Sequence, residues 1–102
     1  MKKNVIDDVV EREMARNRRE REKFELLLSD YPKGSLLIRE NRGKRYCYLK
    51  FRKGKKVITK YVCAESMINE LREVMAERDK LIETINNLDT EYARLVKIKN
   101  VK

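Results

Sequence analysis

The sequence contains no histidine, which removes imidazole-based serine or cysteine triads and every histidine-based metal site from the chemistry open to it. Two cysteines, Cys47 and Cys63, cannot fill a zinc site alone, and both fall in segments that read as strands. With only three glycines there is no G-x-G-x-x-G or G-x-x-x-x-G-K-[ST], so no phosphate-cradling loop is present. Acidic residues are plentiful, but at helical spacing beside lysine and arginine they read as solvated ion pairs rather than acid/base dyads. The basic central segment would offer a metal-dependent nuclease only Glu40. No catalytic residue, metal or other cofactor is expected, and the chain is not expected to be an enzyme. No apolar run approaches the roughly 18 residues of a membrane span, and the opening MKKNVIDDVV has no apolar h-region. The expectation is a cytoplasmic protein without a membrane partner, its cysteines reduced and packed as small hydrophobes rather than bridged.

What the chain has in abundance is charge, 42% of residues, and a formal net charge of +9 that is unevenly spread. Residues 1–32 balance 8 basic against 8 acidic side chains, and residues 63–102 are close to neutral. Residues 33–62 carry 11 basic side chains against the single acid Glu40. A block of that kind attracts polyanions, nucleic acid first, with an acidic protein or an anionic surface behind it.

The 102 residues fit one α+β domain in three parts: a charged helix over 1–30, a basic three-stranded antiparallel meander over 33–63, and a long heptad helix over 64–102. Asn4 is the expected cap of the first helix, with Asp7 and Asp8 in the first turn where the helix dipole favours negative charge. Tyr31-Pro32-Lys33-Gly34 stops it. Its middle, RNRREREK, reads as too charged to bury and is supported by i,i+4 pairs such as Arg16 with Glu20 and Arg21 with Glu25. Arg12, Arg16, Arg19 and Lys23 share one face, which reads as a solvated ion-paired surface before it reads as a phosphate-tracking stripe.

Strands are expected near 35–40, 44–52 and 56–63, separated by Asn41-Arg42-Gly43 and Lys53-Gly54 at the hairpin turns. In the central strand Cys47, Leu49 and Phe51 alternate with Tyr46, Tyr48, Lys50 and Arg52, giving one packing face and one aromatic, basic face. A two-residue and a three-residue loop at Lys53-Gly54 give third-strand registers that differ by one. They exchange Val57/Tyr61 and Ile58/Val62 between the core and the open face.

From Ala64 the seam Met67, Leu71, Val74, Arg78, Leu81, Ile85, Leu88, Tyr92, Leu95 and Lys99 runs at alternating spacings of four and three. A helix this long outreaches a small sheet, so the first helix folding back and a second copy of the chain are the expected cover. Leu71, Val74, Leu81, Ile85, Leu88, Tyr92 and Leu95 are the candidate contacts of a homodimer, with Arg78 as a register-setting polar residue.

The meander's open face carries the chemistry. Tyrosine rings offer surfaces on which bases rest, and flanking cations neutralise phosphates; a narrow antiparallel ribbon also fits the major groove of B-DNA. Tyr46, Tyr48, Lys50 and Arg52 are the expected contact face, with Arg42, Lys44, Arg45, Lys53, Lys55, Lys56 and Lys60 as phosphate ligands. If about five to eight cations meet phosphates, the log–log salt slope on duplex DNA is about −5 to −7. Against this stands a plain alternative, since tyrosine is common in strands and lysine protects sheet edges.

Pro32-Lys33-Gly34-Ser35-Leu36, Gly43 before Tyr46 and Tyr48, then Arg52, Gly54, Lys56-Val57 and Tyr61, followed by a long charged helix, resemble a family of small basic domains of Gram-positive bacteria, their phages and integrative elements. The resemblance covers about residues 31–63, and Cys63 stands where that pattern carries glycine. GKRYCYLKF and KKVITKYV are also similar to the arm-type DNA-binding domains of integrases, whose three-stranded sheet enters the major groove. These likenesses imply a nucleic-acid-binding accessory protein of a mobile element, with DNA or RNA as partner. They also imply an alternative, an anti-CRISPR protein that engages the guide RNA or nucleic-acid channel of a ribonucleoprotein nuclease. A third reading makes the heptad helix a coiled-coil interaction module and the meander only its solubilising part.

Overall fold

The computed structural model describes residues 5–101. Helix α1 (Val5–Leu28) is followed by strands β1 (Ser35–Asn41), β2 (Lys44–Lys53) and β3 (Lys56–Ala64), a 3-10 turn over Glu65–Met67, and helix α2 (Ile68–Asn100). The chain is α+β, as its hydrophobic periodicity predicts. It forms two compact units, a sheet unit over Tyr31–Arg78 and a helical unit made of the residues up to Asp30 and those from Asp79 onward. Asn4, the expected cap of α1, lies outside the described residues, while Asp7 and Asp8 occupy the first turn.

In the helical unit α1 and the second part of α2 run antiparallel. Arg21 meets Asp89 at 2.8 Å, Arg16 approaches Glu91 at 3.7 Å, and Glu11 receives Lys99 at 3.7 Å. Val10, Met14, Ile85 and Leu88 are buried. The charged middle of α1 was expected to stay out of the core, yet Asn17 within it is 1% exposed, and its Nδ2 donates to the Leu88 carbonyl at 2.9 Å. A short amide can occupy a helix–helix seam where arginine cannot, provided it finds a hydrogen-bond partner. Its neighbours reach around the seam instead: Arg18 lies over the Tyr92 ring at 5.8 Å, and Arg16 is held by Glu13 and Glu20 on its own helix. These ion pairs are half exposed and weakened by solvent screening, so burial rather than charge holds the hairpin.

In the sheet unit the strands lie in the order β1-β2-β3, antiparallel throughout. Arg42 and Gly43 both have positive φ, 53° and 77°, the signature of a type I′ hairpin turn. The second turn is a two-residue loop with Gly54 at φ 62°, and it pairs Lys53 with Lys56 and Phe51 with Ile58. That settles the third-strand register: Ile58 joins the packing face, while Val57 and Tyr61 join the open one. A bulge then interrupts the ladder, because Tyr48 pairs with Tyr61 while its neighbour Cys47 pairs with Cys63, leaving Val62 as the extra residue.

Cys47, Cys63 and Ile68 form the sheet unit's core, with Leu36, Ile38 and Leu71 packed against them. The long helix was expected from Ala64, but β3 continues through Ala64, and the 3-10 turn delays α2 to Ile68. In consequence Met67 is 50% exposed and Ile68, one residue on, takes its place in the core at 1%. Arg78, expected to set register between helices, instead donates through Nη1 to the carbonyls of Pro32 and Gly34. The preceding residue on α2, Glu77, accepts from the Tyr31 hydroxyl at 3.1 Å. These bonds hold the entry to β1 where Gly34, at φ 101°, passes so close to β2 that an added Cβ would lie 2.3 Å from the Lys50 carbonyl oxygen.

Gly34→Ala is therefore expected to lose on the order of 3 kcal/mol or more, from strain and overlap together. Gly43→Ala faces open space and should lose only about 1–2 kcal/mol, from its positive φ alone; urea denaturation compares the two.

Burial pushes the Cys47 thiol above its ordinary value of 9.0, and the adjacent Cys63 adds to the effect through charge and hydrogen bonding. The unfolded chain then ionises this thiol at a lower pH than the folded one does. The associated stability is complete below pH 9.0 and falls as pH rises above it, and Cys47→Ala should reduce the slope of unfolding free energy measured above that pH.

Candidate nucleic-acid interface

The register sorts the basic segment by face. On β2 the outward residues are Lys44, Tyr46, Tyr48, Lys50 and Arg52; β1 adds Leu37 and Arg39, and β3 adds Val57, Thr59 and Tyr61. Leu37, Tyr48 and Tyr61 lie in one row across the three strands. The tyrosine rings touch: Tyr48 and Tyr61 meet edge to face with centroids 5.7 Å apart, and Tyr46 tilts towards Tyr61 at 6.5 Å. The Arg39 guanidinium lies over the Tyr48 ring, 5.5 Å from its centroid. Tyr46 and Tyr48 are half-buried, whereas Tyr61 and Val57 are 51% and 54% exposed. The face is apolar and aromatic at its centre and cationic along its rim.

Of the expected contact face, Tyr46, Tyr48, Lys50 and Arg52 lie together on this side, joined by Lys44. Arg42 and Lys55 sit in the two hairpin turns. Arg45, Lys53, Lys56 and Lys60 share the parity of Cys47 and belong to the opposite face. Arg45 is paired there with Glu65 at 3.1 Å, and Lys60, opposite Leu49, borders a shallow apolar depression with Lys33, Leu49 and Phe51. Two members of the tyrosine face, Tyr61 and Arg39, were absent from the expected set. Tyr61 was legible only through the loop length, since a two-residue turn counts it directly opposite Tyr48. The first strand, SLLIREN, has no clean alternation, so Arg39 acquired a face only through pairing with Tyr46.

The residues expected to carry self-association differ in how far one chain covers them. Ile85 and Leu88 are buried, Leu71 packs on the cysteine core, and Val74, Leu81, Tyr92 and Leu95 are half-buried. Among the described residues no helix is long and apolar enough to cross a membrane. No known family, curated protein or solved structure matches the chain.

The edge-to-face contact between Tyr48 and Tyr61 is expected to be worth about 0.5–1.5 kcal/mol beyond burial. A double-mutant cycle with Tyr48→Ala and Tyr61→Ala, read by chemical denaturation, measures this coupling directly.

Proposed function

We propose that the protein is a non-enzymatic nucleic-acid-binding accessory protein, of the kind that phages and mobile elements carry, acting through the tyrosine face of its sheet. The observation that carries this reading is the gathering of the Tyr61 ring, flanked by Tyr46 and Tyr48, with Arg39, Lys44, Lys50 and Arg52 on one face. Lysine placed to protect a sheet edge accounts for scattered charge, but not for cations framing an aromatic cluster at the middle of the open face. Sorting by face also lowers the expected electrostatic footprint. With four outward cations on phosphates, the log–log salt slope is about −4 on duplex DNA and about −3 on single strands.

Two charge-matched double variants test the face. Lys50→Glu with Arg52→Glu reverses two outward cations, and Lys53→Glu with Lys60→Glu reverses two on the other side. In a mobility-shift assay at low and moderate salt the first pair should weaken binding about tenfold or more and the second much less. Equal losses would assign the binding to net charge rather than to this face.

A further inference from the structure

Resting on that reading, we propose that the ligand is single-stranded nucleic acid, with a base stacked on Tyr61 and phosphates taken by Arg39, Lys44, Lys50 and Arg52. The arrangement of the face separates this from groove binding. Its middle row is Leu37, Tyr48 and Tyr61, and the Tyr61 ring is 51% exposed, so a ligand that covers the centre meets apolar, flat surface there. Unstacked bases have such surface. In a duplex the base faces are already stacked on one another, and what meets a sheet is either the charged backbone or the base edges in a groove.

Reading those edges needs long polar side chains free to reach inward. At the centre of this face the side chains are rings leaning on one another, and the Arg39 guanidinium is laid over Tyr48. Tyr61 is the most open of the three rings, and it is braced by Tyr46 and Tyr48. A braced ring loses little conformational freedom when a base stacks on it, which favours its use as a platform. Along β2 the cations stand at both ends of the aromatic pair, Lys44 before Tyr46 and Lys50 with Arg52 after Tyr48. At about 3.4 Å per residue, Lys44 and Arg52 are roughly 27 Å apart, a distance that phosphates of a short strand laid along β2 can span.

The test is fluorescence anisotropy with labelled oligo(dT) and oligo(U) of about 12 nucleotides, beside a blunt duplex of the same length. Single strands should bind about tenfold tighter than duplex, and Tyr61→Ala should lower that affinity about fivefold or more, while Tyr61→Phe keeps it. The chain has no tryptophan, so its intrinsic emission comes from tyrosine, and stacking should quench it with oligo(dT) but not with duplex. This readout uses the unaltered chain and does not depend on a folded variant. Duplex binding as tight as single-strand binding, or unquenched emission at saturation, would overturn the single-strand assignment and leave the nucleic-acid reading standing. Absence of binding to every probe at low salt would overturn both.

Discussion

Both the sheet core and the open face depend on one backbone irregularity, the extra residue that β3 accommodates at Val62. In an unbroken antiparallel ladder, residues two apart point the same way, so Tyr61 and Cys63 would share a face. Continued from the turn, the regular register would set Val62 opposite Cys47. The bulge sets Cys63 there instead while Tyr61 remains opposite Tyr48. One strand thus closes the core with a thiol and completes the aromatic cluster with a ring two positions earlier. The bulged strand also runs on to Ala64, which moves the start of α2 and brings Ile68 rather than Met67 into the core.

The long helix serves two separate packing demands. Its first turns supply Ile68 and Leu71 to the sheet unit, and Arg78 satisfies carbonyls at the tight entry to β1. Its later turns supply Ile85 and Leu88 to the hairpin with α1. In that hairpin Asn17 has the role a buried amide commonly has in helix pairs. It bonds to one backbone carbonyl, and it leaves Oδ1 without a partner among the described residues, a cost that apolar packing around it must offset. Part of the heptad pattern, Ile85 and Leu88 above all, is thus covered within one chain, because periodicity specifies an apolar face and is silent on which helix covers it.

The sequence by itself determined the element order, the α+β class, the hairpin turns and the alternation of β2, because each rests on local physics: glycines at positive φ, period-two patterning, and an apolar stripe of helical period. It also determined that Tyr46, Tyr48, Lys50 and Arg52 share a face, since these alternate along a single strand. Tertiary structure alone decided the rest. Arg39 and Tyr61 joined that face, and Lys56 and Lys60 fell on the other, through pairing registers that involve residues distant in the chain, whereas Arg45 and Lys53 share the parity of Cys47 on β2 itself. Asn17, and with it Ile85 and Leu88 of the heptad seam, was buried by helix packing. The physical reason is the same in each case. A strand or helix carries its own periodicity in its sequence, but which of its sides meets a partner depends on turns, bulges and neighbours whose geometry is set only when the elements pack.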